Sequence, residues 1–477
     1  MRRFLFAIVT SPALALLACA STPSTDVVAF GTDDGVVPAP WLTLPTGSPY
    51  FERDGKRAPV LLRNISAPTG QQIVDLMKPA AAEGTTVVRI QLTQGPGYGD
   101  LGIDSAGHAL VTFAETWDSV FDVAAKLGLS LIPVFGIWGD WNNGDPPLDG
   151  SAGQAWKHFD ANPLNRANGG PAAVPSDLFV DGSPTQRAWL AWMTTMVRHW
   201  RGRPNIIAWE IFSELDIVAG ATQAAAVAFA ERAADTLRAV DPAKRPILAS
   251  TSDLPPSPWV DLWSGRANDL ISIHPYVNNL DEVLPQHVQA CLDLVPKPVL
   301  VGESGSDVTM VSANGATITA AADAATPLRH AIWAELVSGA ADARALWWED
   351  GYALLVDVSA GTQIVDSLDN LERIAATWLA GMDFNGLLPT AATSSSASSQ
   401  PVALSRPDLA VGWLKNATID AVVSLALPDG VADGTWTVEI TTPVDGHMTT
   451  VNGTITSRAL AFQSPVTADA IAFKAHP

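Results

Sequence analysis

Cysteine is almost missing from this chain: Cys19 and Cys291 are the only two among 477 residues. That excludes a scaffold stapled by disulfides and leaves packing to supply stability, for which a 47% hydrophobic content is ample. Basic residues are also few. Lys and Arg number 28 against 49 Asp and Glu, for a net charge of −21 and a pI near 4.6. Phosphate backbones require a basic face, so a nucleic-acid partner is excluded. Tyrosine is scarce too, with four residues beside seventeen tryptophans. At this length the chain can hold one large domain or two.

The N-terminus carries a targeting signal. Arg2 and Arg3 precede the apolar stretch Phe4 to Leu17, and Leu16-Leu17-Ala18-Cys19 closes it. This resembles a bacterial lipoprotein signal over residues 1–19, in which Cys19 becomes the lipidation site; the alternative is an ordinary signal peptide with an incidental cysteine. The stretch is too short to anchor the chain as a membrane span. Membrane contact is therefore expected by the N-terminal lipid anchor only, at the cell envelope outside the cytoplasm. With Cys19 acylated, Cys291 has no partner for an intrachain disulfide. Residues 20–40, rich in Ser, Thr, Pro and Asp, read as a flexible tether.

From residue 59 short apolar runs alternate with amphipathic stretches. The strand expectations are Pro59–Asn64, Thr85–Leu92, Leu129–Phe135, Asn205–Phe212, Pro246–Ser250, Leu270–His274, Pro298–Gly302 and Ala343–Trp348. Most are rich in Val, Ile and Leu without polar alternation, as parallel strands buried on both faces should be. Helices are expected at Gln71–Ala82, Thr116–Lys126, Thr185–Trp200, Ala221–Val240, briefly near Trp259, and at Asp281–Leu294, Pro327–Ser338 and Ile364–Leu379. The predicted fold class is α/β, a (β/α)8 TIM barrel over residues 41–388. A Ser-rich linker (389–400) and a small C-terminal antiparallel β-sandwich (401–477) should follow. Trp413 and Trp436 of that module could be core or surface, so a structural and a carbohydrate-binding role both stand. Trp189, Trp192, Met193, Met196 and Trp200 recur at helical spacing and should face the barrel. The long stretch Gly136–Ser183, with Trp138, Trp141, Trp156 and Phe159, is either a wall of the cleft or a loop with its own small core.

Two strands end abruptly in glutamate: Ile207-Ala208-Trp209-Glu210-Ile211-Phe212-Ser213-Glu214 and Pro298-Val299-Leu300-Val301-Gly302-Glu303. Desolvation disfavours a carboxylate at such a tip, so two of them imply paired acids facing one cleft, the equipment for cleaving a glycosidic bond. Six segments in order strengthen this: Tyr50–Lys56 leading into Val60–Arg63, Val87-Val88-Arg89, Ala208–Glu214, Ile273-His274-Pro275-Tyr276, Val301–Gly305 and Leu346-Trp347-Trp348-Glu349. Together they resemble a clan A glycoside hydrolase, most similar to family 5, the cellulase and β-mannanase group.

The resemblance implies a retaining β-glycosidase in which Glu303 is the nucleophile and Glu214 the acid/base. Arg89 and Tyr276 would keep Glu303 ionised. His274 would orient Glu214, touch the sugar, or serve structure alone. Trp348 would be the floor under the reacting sugar, with Trp138 a further substrate contact. Glu210 could share a face with Glu214, and the resemblance leaves it a supporting carboxylate. Three departures stand out: Ser213 where the family has the Asn that binds the sugar 2-hydroxyl, Arg63-Asn64-Ile65-Ser66 at the end of the first strand, and no histidine in Ile132–Gly136. The expected substrate is a β-linked polysaccharide or oligosaccharide, β-mannan or β-glucan, taken by a monomer with no cofactor and no metal. A surface polysaccharide-binding lipoprotein that has lost catalysis and a transglycosylase using the same site are the other readings.

Overall fold

The computed structural model describes residues 37–67, 69–94, 101–142, 159–255, 257–277, 279–305, 311–313, 318–320, 325–347 and 370–477. Cys19, Trp156 and Trp348 lie outside them.

Eight short parallel strands form a closed ring: β1 (Val60–Asn64), β2 (Val87–Gln91), β3 (Ser130–Val134), β4 (Trp209–Glu210), β5 (Ile247–Leu248), β6 (Ile271–Ile273), β7 (Val299–Val301) and β8 (Asp342–Ala343). Continuous pairing runs β8-β1-β2-β3-β4-β5, and β6 pairs with β7. The two remaining gaps are spanned by the parallel bridges Thr251–Ile273 and Ser304–Leu346. Every residue of β1, β2 and β3 is buried, which is why their sequences are apolar without alternation. The helices are α1 (Gly70–Glu83), α2 (Val111–Lys126), α3 (Pro184–Trp200), α4 (Gln223–Val240), α5 (Val260–Ser264), α6 (Leu280–Leu294), α7 (Ala325–Leu336) and α8 (370–379). The chain builds the expected (β/α)8 barrel.

Local chemistry sets the boundaries. Ser183 caps α3 by accepting from the Gln186 amide, and Pro184 fills the first helical position. Trp189, Trp192, Met193, Met196 and Trp200 are all fully buried on that helix. Helix α2 starts at Val111, ahead of the expected Thr116, because its cap residue Leu110 makes no side-chain cap bond and gives no sequence signal. The opening hairpin pairs Phe51–Arg53 with Lys56–Ala58 through Asp54 and Gly55, both at positive φ.

The C-terminal region corrects one expectation. The Ser-rich segment is no linker: Leu388–Pro389 pairs with Gln400–Arg406, and Ala392–Ser394 pairs with Val422–Ala426. Nine antiparallel strands form one hydrogen-bonded sheet whose two edges are these short strands. Residues 388–394 thus tie one edge to the other, and the sheet coils around its own core of Val423, Trp436, Ile471 and Phe473. Its outer face continues the barrel core through Leu404, Val411 and Trp413. Trp413 packs edge-on to His330 at 5.5 Å, and Lys415 reaches Asp281 (2.7 Å) and Glu282 (2.8 Å) on α6. Both Trp413 and Trp436 are buried.

Candidate active site

Arg89 organises the mouth of the barrel. It sits on β2, wholly buried, with its guanidinium inside the ring of strands. Nε and Nη2 donate to the two oxygens of Glu210 (2.6 and 2.7 Å), a bidentate pair. Nη1 donates to Glu303 Oε1 (2.7 Å) and to Asn64 Oδ1 (3.1 Å), and Nη2 also reaches Ser213 Oγ (3.0 Å). Asn64 is fixed in turn by donating to the carbonyls of Gly302 and Ala345, beside the seventh and eighth strands. Glu210 accepts further from Ser250 Oγ (2.9 Å) and has no exposure, so it is held behind Arg89, away from the mouth.

Glu303 follows β7 and is 5% exposed. Its Oε1 accepts from Arg89, from Gln91 Nε2 (2.9 Å) and from Ser213 Oγ (3.3 Å). Its Oε2 accepts from the Tyr276 hydroxyl (2.8 Å). Burial alone would raise the pKa of Glu303, but His274, Arg89 and the Tyr276 hydrogen bond outweigh it and hold the group below the usual carboxylate range.

Glu214 lies beyond β4 in the left-handed backbone region (φ 57, ψ 53), a conformation costly for a residue with a side chain. Its amide donates to Ser250 Oγ (3.1 Å), whose hydroxyl goes on to Glu210, so the two glutamates of the segment are tied through one serine. Its carboxyl Oε1 is 2.8 Å from His274 Nδ1, which is also 3.6 Å from Glu303 Oε2. Burial pushes the Glu214 pKa up, Glu303 and Asp216 add to the rise, and the His274 contact opposes it. Burial would lower His274, yet Glu303 and Glu214 raise it above the ordinary imidazole value.

Glu214, His274 and Glu303 each present one ligand-type atom within 4.8 Å of the other two. By distance alone they could hold a cation. Glu303, however, already accepts from Arg89, Gln91 and Tyr276, and a metal ion there would face a guanidinium nitrogen 2.7 Å from the same oxygen. One oxygen of Glu214 and one of Glu303 thus approach within 4.8 Å, so the two carboxyl groups face one another across a narrow gap.

Of the residues singled out from sequence, Arg89, Ser213, Glu214, His274, Tyr276 and Glu303 therefore meet in one cluster. Trp138 is half-buried beside it, its amide donating to the Ser213 carbonyl (3.2 Å). Trp141 and Phe159 turn inward, Trp141 stacking on Phe159 (6.2 Å) and meeting Trp189 edge-on (5.4 Å), so that part of the loop has a core of its own. Sequence reading missed Gln91. The signal available was parity: two residues beyond Arg89 on the same strand, it faces the same way.

No family model matches this chain, and no curated protein matches it either. Solved structures do resemble it. One, from Bacteroides vulgatus and assigned as a glycoside hydrolase, aligns with a TM-score of 0.55 at 11% identity, over 93% of this chain and 83% of its own. Another is a GH30 endoxylanase from Clostridium papyrosolvens, with a TM-score of 0.50 at 12% identity over 88% of this chain and 97% of that one. At such identities the likeness is one of fold. The chain shares the barrel architecture of these proteins.

Proposed function

We propose that this protein is a retaining β-glycoside hydrolase acting on a β-linked polysaccharide or oligosaccharide. The observation that carries the reading is the pairing of Glu214 and Glu303 within 4.8 Å, with one acid pushed up and the other held down. Glu303 Oε2, which accepts only from Tyr276 among the described residues, is the freer oxygen and attacks the anomeric carbon. As that bond forms, the glycosidic C–O bond breaks and the leaving oxygen takes the proton of Glu214. Glu214, now a carboxylate, then removes a proton from water, which displaces Glu303 and restores the starting state. His274 holds the Glu214 carboxyl in line, and Arg89 keeps Glu303 charged while Glu210 and Asn64 fix Arg89.

The resemblance to the family 5 group favours β-mannan or β-glucan, with Trp348 as floor and Trp138 as a further contact. The N-terminal signal and Cys19 support a chain tethered by lipid to the cell envelope, and we read it as a monomer. Retention of two acids in this geometry favours catalysis over a binding relic. A panel of mannans, glucans, xylans and aryl glycosides, with product size and anomeric configuration recorded, tests the reading. Retention of the β configuration supports it, and an inverted product rejects the double displacement.

A further inference from the structure

Gln91 is 4% exposed at the C-terminal tip of β2. Its amide is half used. Nε2 donates to Glu303 Oε1 (2.9 Å), while its carbonyl Oε1, buried, has no hydrogen-bond partner among the described residues. Leaving a buried acceptor unmet is costly, so a side chain kept in this state at the edge of a reaction site points to a donor that arrives with the substrate. The neighbouring strand offers none: in register, Gln91 lies beside Val134 and Arg89 beside Ile132. Ser213 Oγ is already engaged with Arg89 and Glu303.

We propose that Gln91 is a substrate-contacting residue whose Oε1 accepts a hydrogen bond from the hydroxyl on the sugar carbon next to the one Glu303 attacks. This rests on the glycosidase reading above. The amide nitrogen fixes the side chain on the nucleophile, so its carbonyl lies within about 5 Å of the Glu303 carboxylate, the reach of a substituent one ring carbon away. The ligand class is then a pyranoside carrying a free hydroxyl at that carbon. Sugars that are deoxygenated there, or that bear an acylated amine, leave the carbonyl unmet or crowd it.

The test compares aryl β-glycosides with and without the 2-hydroxyl, by kcat/KM and by titration of affinity, in the parent and in Gln91→Met. The parent should prefer the 2-hydroxy substrate by roughly 10- to 100-fold, and Gln91→Met should shrink that preference at least about 10-fold. Each ratio is taken within one preparation, so a partly misfolded fraction cancels; Gln91→Asn, with a shorter amide, provides the same ratio should Gln91→Met not fold. An undiminished preference in the variant overturns the role of Gln91 and leaves the hydrolase standing. A parent that neither cleaves nor binds any glycoside overturns both.

Discussion

Two buried charge clusters lie on either side of the barrel wall, and they are built to opposite ends. Outside the barrel wall, Arg63 donates to Glu372 (2.9 and 2.6 Å) and Glu83 (2.8 Å), Arg344 approaches Glu372 (2.8 Å), and Thr85 donates to the remaining Glu372 oxygen (2.6 Å). Arg373 also lies 3.9 Å from Glu83, so among the described residues three arginines face two glutamates. Inside the wall, Arg89 pairs with Glu210 and Glu303, while a third carboxyl, Glu214, sits against His274, which lies between it and Glu303. Burial, with Glu303 and Asp216 nearby, raises the Glu214 pKa and favours a proton there. A cluster rich in arginine serves stability; one crowded with carboxyls favours holding a proton.

Breaking the inner cluster should have the largest effect. Glu303→Ala is expected to lower kcat/KM by at least ~10⁴-fold with the melting temperature little changed, and activity equal to the parent removes the mechanism. Glu214→Ala should cost about 10²–10⁴-fold, most for poor leaving groups, with azide partly restoring good ones. Equal slowing of both kinds with no azide effect rules Glu214 out as the acid. The parent should show a bell-shaped pH profile. Activity falls as pH rises through the elevated Glu214 pKa, because the proton to be donated is gone. It falls again as pH drops through the depressed Glu303 pKa, because the nucleophile is neutralised. Glu214→Ala should lose the alkaline limb.

Tyr276→Phe removes a hydrogen bond that favours ionised Glu303, so the acid limb should move to higher pH, with kcat down by roughly 10- to 100-fold. An unmoved acid limb denies Tyr276 that influence. The outer cluster sharpens the contrast. Glu372→Ala removes a buried carboxylate shared by Arg63 and Arg344 and should cost about 3–5 kcal/mol in denaturant unfolding, while turnover per folded molecule stays at the parent value. A changed pH profile in that variant would mean that the two clusters communicate.

The barrel was legible because strands buried on both faces leave apolar runs that need no partner to be recognised. β1, β2, β3 and β7 lie inside the expected segments. Glu214 and Glu303 were legible for the converse reason, each a charge at the end of such a run. The division of labour between Glu210 and Glu214 rests on a left-handed turn at Glu214 and on the reach of Ser250, neither of which has a sequence signature. Residues 389–400 misled because Ser, Thr and Ala are typical of linkers. Pairing of a short edge strand uses backbone groups alone, and its side chains carry no record of it. Trp413 was ambiguous for want of its counterpart: His330, on a helix distant in sequence, is what covers it.

The strap at 388–394 has a practical bearing on how the folded protein keeps from sticking to its own kind. A sheet with open borders invites strands from other chains, and here one short run of backbone satisfies both borders at once. Removing the strap would uncover two adhesive margins of the C-terminal sheet together, so a chain lacking residues 388–394 should clump rather than merely loosen.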